Sequence, residues 1–295
     1  ADGDKIQLWG DMSSATVEVS QESTDDRPTL VLGENGMNGM PAVEFNGENE
    51  YLIGNDVVPG VSTSVFSVAQ GAELEWNDHG WIASARAANG FLLHPWKNSS
   101  LFSAAIMDQD ENYANAPSFW IVDASQPQIY GVIYERWSVG QYFSTLNNDQ
   151  RLPFNNSNIG ERAEGASVDV RYGWDYEERF GAGKIGEHFV YNRRVFESHR
   201  TLITNYLAGK FGIDPGPLQR YGWEEYPHEI AGIGQETEYD FHADAQGSGP
   251  VRVSNPAEME DGDYLMWGHD NLPMSFVADA FPIYTERLER TWGYK

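Results

Sequence analysis

Oxygen-bearing side chains alternate along Asp108-Gln109-Asp110-Glu111-Asn112, where Asp108, Asp110 and Asn112 have the spacing with which one loop wraps a hard cation. The expected ion is Ca2+. The loop is no EF-hand: Tyr113 stands where that loop needs glycine, and the bidentate Glu at position 12 is missing. Two further acid groups read first as turns, because each contains a turn dipeptide. They are Asn46-Gly47-Glu48-Asn49-Glu50 and Glu258-Met259-Glu260-Asp261-Gly262-Asp263. A second chemistry lies in aromatic rings beside polar groups, since the C–H face of a sugar stacks on an exposed ring. Trp81, Trp96, Trp120, Tyr134, Trp137, Tyr142 and Trp174 crowd the middle of the chain, and most should be core. Trp137 and Trp174 flank the polar turns at Glu135-Arg136 and Asp175. With Tyr134, Arg136 and Tyr142 they form the expected ligand-binding set.

Catalytic constellations are weaker. Glycoside hydrolysis needs two carboxylates facing each other across a sugar. Glu73/Glu75 and Glu258/Glu260 have the right parity, but neither pair sits in a strongly apolar strand. Arg136, Tyr134, Gln141, Tyr142 and His188 could supply a polysaccharide lyase, yet these residue types are too common to be diagnostic. No Gly-x-Ser-x-Gly elbow and no His-Glu-x-x-His spacing occurs. The leading expectation is therefore a protein that binds without catalysis.

The elements that must hold these residues are short strands broken by Gly, Asn, Asp and Pro. Thr16–Val19, Ala42–Phe45, Ser64–Val68, Trp81–Ala83, Ser118–Val122, Tyr130–Tyr134, Gln141–Phe143 and Val168–Tyr172 alternate or run apolar over strand length. Strands at this density without intervening helices point to an antiparallel β-sandwich or jelly roll, with one wet face on each sheet. The period changes only once. Leu202, Ile203, Tyr206, Leu207 and Phe211 fall on one face of a helix, and Gly212 stands where its left-handed exit belongs. The fold class is thus all-β, a jelly roll with one short closing helix, followed by a smaller C-terminal β-rich domain. The expected boundaries are 1–213 for the sandwich, 214–217 (Asp-Pro-Gly-Pro) for a linker and 218–295 for the second domain.

Nineteen Lys and Arg against 45 Asp and Glu give a net charge of −26, which excludes nucleic acid and anionic membranes as partners. Cysteine is absent, so disulfides and thiolate metal sites are excluded. No run of 18 apolar residues occurs, and membrane insertion is not expected. The opening at Ala1 fits a mature N-terminus left by cleavage or an arbitrary boundary equally, and the abrupt aromatic ending Trp292-Gly293-Tyr294 suggests a fragment of something longer or a trimmed product. That ending could also add as a strand to a neighbouring copy, a route to self-association through an exposed edge.

Several motifs carry a resemblance. LWGDMS (8–13), MPAVEFNGENEYL (40–52), FLLHPWKNSSLF (91–102) and the strand–helix run 183–213 are similar to the laminin-G-like jelly roll of the concanavalin A-like lectin/glucanase superfamily. The likeness covers residues 9–213. The stretches 228–236, 261–271 and 287–294 look like a β-rich domain that follows such modules in bacterial surface proteins. The resemblance implies a secreted or cell-surface module that binds carbohydrate or another surface ligand, with calcium at a rim loop. The acidic stretch 107–115 departs from the family pattern, and the Glu-x-Asp-x-x-Glu strand of its laminarinase-type enzymes is absent.

Overall fold

A computed structural model describes residues 1–270 except 14, 16, 79, 80, 117, 122, 138, 139, 149, 155–158, 176, 225 and 248–250. Beyond 270 it describes strands at 275–277, 287–289 and 292–294. Backbone alone is described there and at 137, 140–143, 145 and 154. Two compact units result, Ala1–Val195 and Phe196–Lys295.

The first unit runs through β1 (Leu8–Gly10), β2 (Glu18–Ser20), β3 (Thr29–Gly33), β4 (Gly39–Asn46), β5 (Leu52–Val57), β6 (Thr63–Gly71), β7 (Ala83–Ala85) and β8 (Phe91–Pro95). It continues with β9 (Leu101–Met107), β10 (Tyr113–Asn115), β11 (Phe119–Trp120), β12 (Gln128–Trp137), β13 (Gly140–Asn147), β14 (Gln150–Phe154), β15 (Val168–Tyr172) and β16 (Ala182–Tyr191). One antiparallel sheet has the order β14-β13-β12-β6-β16-β4-β3. The other has the order β1-β2-β5-β15-β7-β8-β9-β10, with β11 also paired to β9. Chain-distant strands lie side by side, as in a jelly roll.

Alternation fills the space between the sheets. Val65, Ala69, Tyr130, Val132, Tyr134 and Ile185 from one sheet meet Leu52, Phe91, Leu93, Phe102, Ala104, Val170 and Tyr172 from the other. Trp76, Trp81 and Tyr130 form the centre, with ring centroids 5.4 and 5.5 Å apart about Trp76. A Cβ on Gly181 would fall 1.8 Å from the Trp81 ring, so only glycine lets that strand approach the indole. The expected wet face fails in the middle of the β6 sheet. Phe66, Val68, Ile129 and Ile133, alternate to the interior set, are buried too.

The second unit contains α1 (Glu197–Phe211), β17 (His228–Thr237), β18 (Asp240–His242), β19 (Asp244–Gln246), β20 (Arg252–Ser254), β21 (Tyr264–His269), β22 (Ser275–Val277), β23 (Arg287–Glu289) and β24 (Trp292–Tyr294). The helix is where the sequence puts it. Gly212 exits at φ 63°, and the Ile213 N–H donates to the Ala208 carbonyl. Its allegiance differs from the expected boundary, because α1 packs on β17 of the second unit. Leu202 joins Tyr221, Ile230 and Met266 in one core. Cβ atoms on Gly209 and Gly232 would lie 2.2 Å from Ile230 and 2.9 Å from Leu202, so these glycines permit the close helix–strand approach. The residues that follow the expected linker are tied to the helix as well. Asn205 donates to the Leu218 carbonyl and accepts from the Arg220 N–H, both at 2.8 Å or less.

The aromatic C-terminal stretch finds its partner inside the chain, where β24 pairs with β21 through Trp267–Tyr294 and His269–Trp292. This gives self-association through that strand no support.

Asp240 caps α1 from a neighbouring strand, accepting the N–H groups of Glu197 at 2.9 Å and Ser198 at 3.2 Å. Asp240→Ala should therefore lower the stability of the second unit by about 1–2 kcal/mol in urea unfolding. A change near zero would show that the cap contributes nothing.

His188 follows a bulge in β16 and points into the sandwich, 5.0 Å from Tyr172 and stacked on Phe91. Both ring nitrogens are shielded and have no partner among the described residues. Burial pushes the imidazole pKa down to about 3 from 6.5. The unfolded chain therefore gains a proton near pH 6.5 that the folded chain refuses until about pH 3, so stability falls as pH falls through that window. The slope from this group is about 1.4 kcal/mol per pH unit. Urea midpoints of His188→Phe should fall less steeply than the parent's between pH 6.5 and 4; parallel curves would refute the assignment.

Candidate functional site

Asp108 is fully buried, whereas Asp110 and Asn112 are exposed. Its carboxylate accepts the N–H groups of Asp110 and Asn112 at 2.9 Å and of Gly160 at 2.7 Å, and the Asn112 side-chain amide at 3.1 Å. Burial pushes its pKa up, but the hydrogen bonds from Gly160, Asn112 and Asp110 outweigh that and hold it below the ordinary carboxylate value. These N–H donors take the lone pairs a cation would need. Among the described residues no three His, Asp or Glu side chains group so as to hold a metal ion. The donor set does not fit Ca2+.

Arg162 shares this end of the sandwich. Its guanidinium donates to the carbonyls of Gly60 at 3.1 Å, Gly90 and Met107 at 3.2 Å, and Asn89. Burial pushes its pKa down to about 10, with Tyr134 and Asp108 acting in the opposite direction, so it remains charged at neutral pH. The acidic loop is a structural clamp beside this cation.

Of the expected ligand set, the described side chains, Tyr134, Arg136 and Trp174, do not gather in one site. Tyr134 lies in the interior, with Arg162 5.7 Å from its ring centre, while Arg136 is exposed at the end of β12. Trp137 and Tyr142 fall outside the described side chains; only their strand positions are fixed, with Tyr142 opposite Glu135. Trp174 is half-buried and enclosed. Arg171 sits 4.1 Å over its ring, Phe180 is stacked 6.0 Å away and Tyr51 is tilted against it at 4.8 Å. The lyase-type set is dispersed too, because Tyr134 and His188 face the interior.

A different pair of tryptophans reaches solvent. Phe102, Ala104 and Ile106 of β9 point inward, so Leu101, Ser103 and Ala105 point outward. Residues opposite one another in an antiparallel pair share a face. Leu92 lies across from Ala105 and His94 from Ser103, and the Trp96 N–H donates to the Leu101 carbonyl at 2.9 Å. On the other edge of β9, Trp120 is paired with Leu101 while its neighbour Phe119 is buried. Trp96, Leu101 and Trp120 therefore form one row across three strands on the outer face. Trp120 is 72% exposed and Trp96 36%. The His94 ring meets Trp96 edge-on, 5.3 Å between centroids. Beyond it the same face is dry: Leu92, Ala105 and Met107 form a buried cluster.

Both tryptophans are visible in the sequence, but proximity to polar turns does not select them. The usable signal is parity. His94 and Trp96 are two apart, on the face opposite Phe91 and Leu93.

No family model matches the chain, and no curated protein matches it. Solved structures are similar in fold. The binding domain of Paraclostridial Mosquitocidal Protein 1 aligns at a TM-score of 0.52 with 9% identity, over 96% of this chain and 65% of that one. The botulinum neurotoxin serotype D binding domain gives 0.48 and 12%, over 98% and 79%. Domain 4 of AbnA, a GH43 extracellular arabinanase from Geobacillus stearothermophilus in complex with arabinotriose, gives 0.47 and 14%, over 66% and 97%. The chain has an all-β, antiparallel β-sandwich fold. No helix among the described residues is long and apolar enough to cross a membrane.

The two acids of the loop should separate sharply on mutation. Asp108→Ala leaves four donors without their acceptor and Arg162 without its nearby anion, and should lower stability by about 3–5 kcal/mol. Asp110→Ala should stay within ~0.5 kcal/mol. Thermal midpoints with and without chelator should coincide; a chelator-sensitive midpoint would restore a bound cation.

Proposed function

We propose that the first unit is a non-catalytic glycan-binding module of a secreted or cell-surface protein, laminin-G-like in kind, and that Trp96, Leu101 and Trp120 are its contact row. The observation that carries this reading is the exposure of two indoles in register on one sheet face, although the same chain buries Trp76 and Trp81 completely. A large exposed aromatic costs solubility and returns nothing to the fold, so a pair held in one row suggests a partner. Sugar rings suit such a row, because their C–H faces stack on indole while their hydroxyls stay in water. The half-buried His94 beside Trp96 adds a polar ring that can exchange hydrogen bonds with hydroxyls. The reading rests on these side chains and not on the likeness to other structures.

Glycan-array binding tests it. Trp120→Ala should weaken retention at least tenfold on any glycan the parent binds, with stability changed by less than ~0.5 kcal/mol. Arg136→Ala, away from the row, should leave retention intact. Release of shorter products from a bound polymer would overturn the non-catalytic reading.

A further inference from the structure

Resting on the glycan-binding reading of the Trp96–Trp120 row, we infer that the ligand is an internal stretch of an uncharged linear polysaccharide, gripped on two consecutive rings. The first argument is spacing. Trp96 follows β8 and Trp120 belongs to β11, with Leu101 of β9 between them. Two inter-strand steps separate the indoles by about 10 Å, running across the strands. A single pyranose ring is too short to cover both. Two linked rings reach, with the glycosidic linkage passing over the aliphatic Leu101 side chain. Trp120 ends the row 72% exposed, so a chain can continue past that indole.

The second argument is charge. Lys97, next to Trp96, has its ammonium 3.9 Å from the Asp78 carboxylate, so its charge is offset. Glu73 and Glu75 are exposed on the segment joined to this end of the sheet by the Trp76 N–H to Ser99 carbonyl bond and the Ala124 N–H to Leu74 carbonyl bond. Asp123 follows the Trp120 strand and accepts from Ser125, which holds its pKa below the ordinary value. The segments bonded to this end of the sheet carry four carboxylates, Glu73, Glu75, Asp78 and Asp123, against Lys97, within a chain of net charge −26. A uronate or sulfated polymer would meet repulsion there. A neutral polymer meets none, and its binding is insensitive to salt.

Affinity electrophoresis of the full chain through gels containing neutral arabinan, galactan, xyloglucan or mixed-linkage β-glucan provides the test. Alginate, polygalacturonate and carrageenan serve as the acidic set, each at low and high salt. Titration with oligosaccharides of one to six rings, cut from the retarding polymer, follows by indole fluorescence. At least one neutral polymer should retard the protein equally at both salt levels. Affinity should rise about tenfold or more between one ring and two to three rings, and Trp96→Ala and Trp120→Ala should each lose about tenfold. Trp120→Phe should recover part of the loss, and unchanged thermal midpoints show that the variants are folded. Binding only to acidic polymers, or a monosaccharide bound as tightly as the polymer, overturns this inference and leaves the glycan reading standing. Retardation by none of the polymers, together with a silent glycan array, overturns both.

Discussion

The register between β8 and β9 is the constraint on which the outer face depends. Side chains alternate with a period of two, so a slip of one residue would turn Phe91 and Leu93 to solvent and Leu92, His94 and Trp96 inward. Arg162 pins one end of this pair by binding the Gly90 and Met107 carbonyls with one guanidinium nitrogen. The Trp96 N–H to Leu101 carbonyl bond closes the other end. Arg162 tolerates burial because its remaining donors reach Gly60 and Asn89, and because the Asp108 carboxylate stands nearby. Asp108 in turn is held by the backbone of its own loop and by Gly160. The outer face at one end of the sheet is thus set by a buried polar cluster at the other.

Each unit builds its own core, and the helix shows how a local pattern leaves allegiance open. The apolar spacing of Leu202, Leu207 and Phe211 fixes a helix wherever the chain places it. What assigns it to the second unit is shape: Gly209 and Gly232 remove the Cβ atoms that would keep α1 off β17, and Asp240 supplies the cap that Phe196 cannot. None of these is a periodic signal. They are complementary small features at sequence distances of more than twenty residues, which a single sequence does not pair.

The same division separates what was legible from what was not. The strands around Val43, Val65, Val132, Val170 and Ile185 follow from alternation, and the jelly roll follows from their number and from the single helix. The acidic loop was legible as a turn but not in its direction. Asp108, Asp110 and Asn112 are equally polar on paper, and only the backbone decides that the first faces inward to four N–H donors while the others face water. The outward ring of the Phe119-Trp120 pair was illegible for a related reason. Phe119-Trp120 presents two apolar rings in succession, so parity must be inherited from the strand beside it, where Phe102 is inside and Leu101 outside. Tyr134, read beside Arg136 as a polar rim, belongs to the interior row of Tyr130 and Val132.

Magnitudes decide what the exposed row can do. A tryptophan carries roughly 150–250 Å² of surface that burial can remove from water. The 72% of Trp120 left exposed therefore holds on the order of 3–4 kcal/mol of unused apolar stabilisation at ~25 cal/mol per Å², and Trp96 about half as much. Together they approach 5 kcal/mol, comparable to the lower bound of what association costs in lost freedom, about 4 kcal/mol. One indole acting alone would leave almost no net affinity. Two in register, with His94 supplying a hydrogen-bonding ring, reach the threshold at which weak binding appears. On the glycan-binding proposal, a second ring in contact is what turns the total favourable, so such a surface would select by length before it selects by sugar.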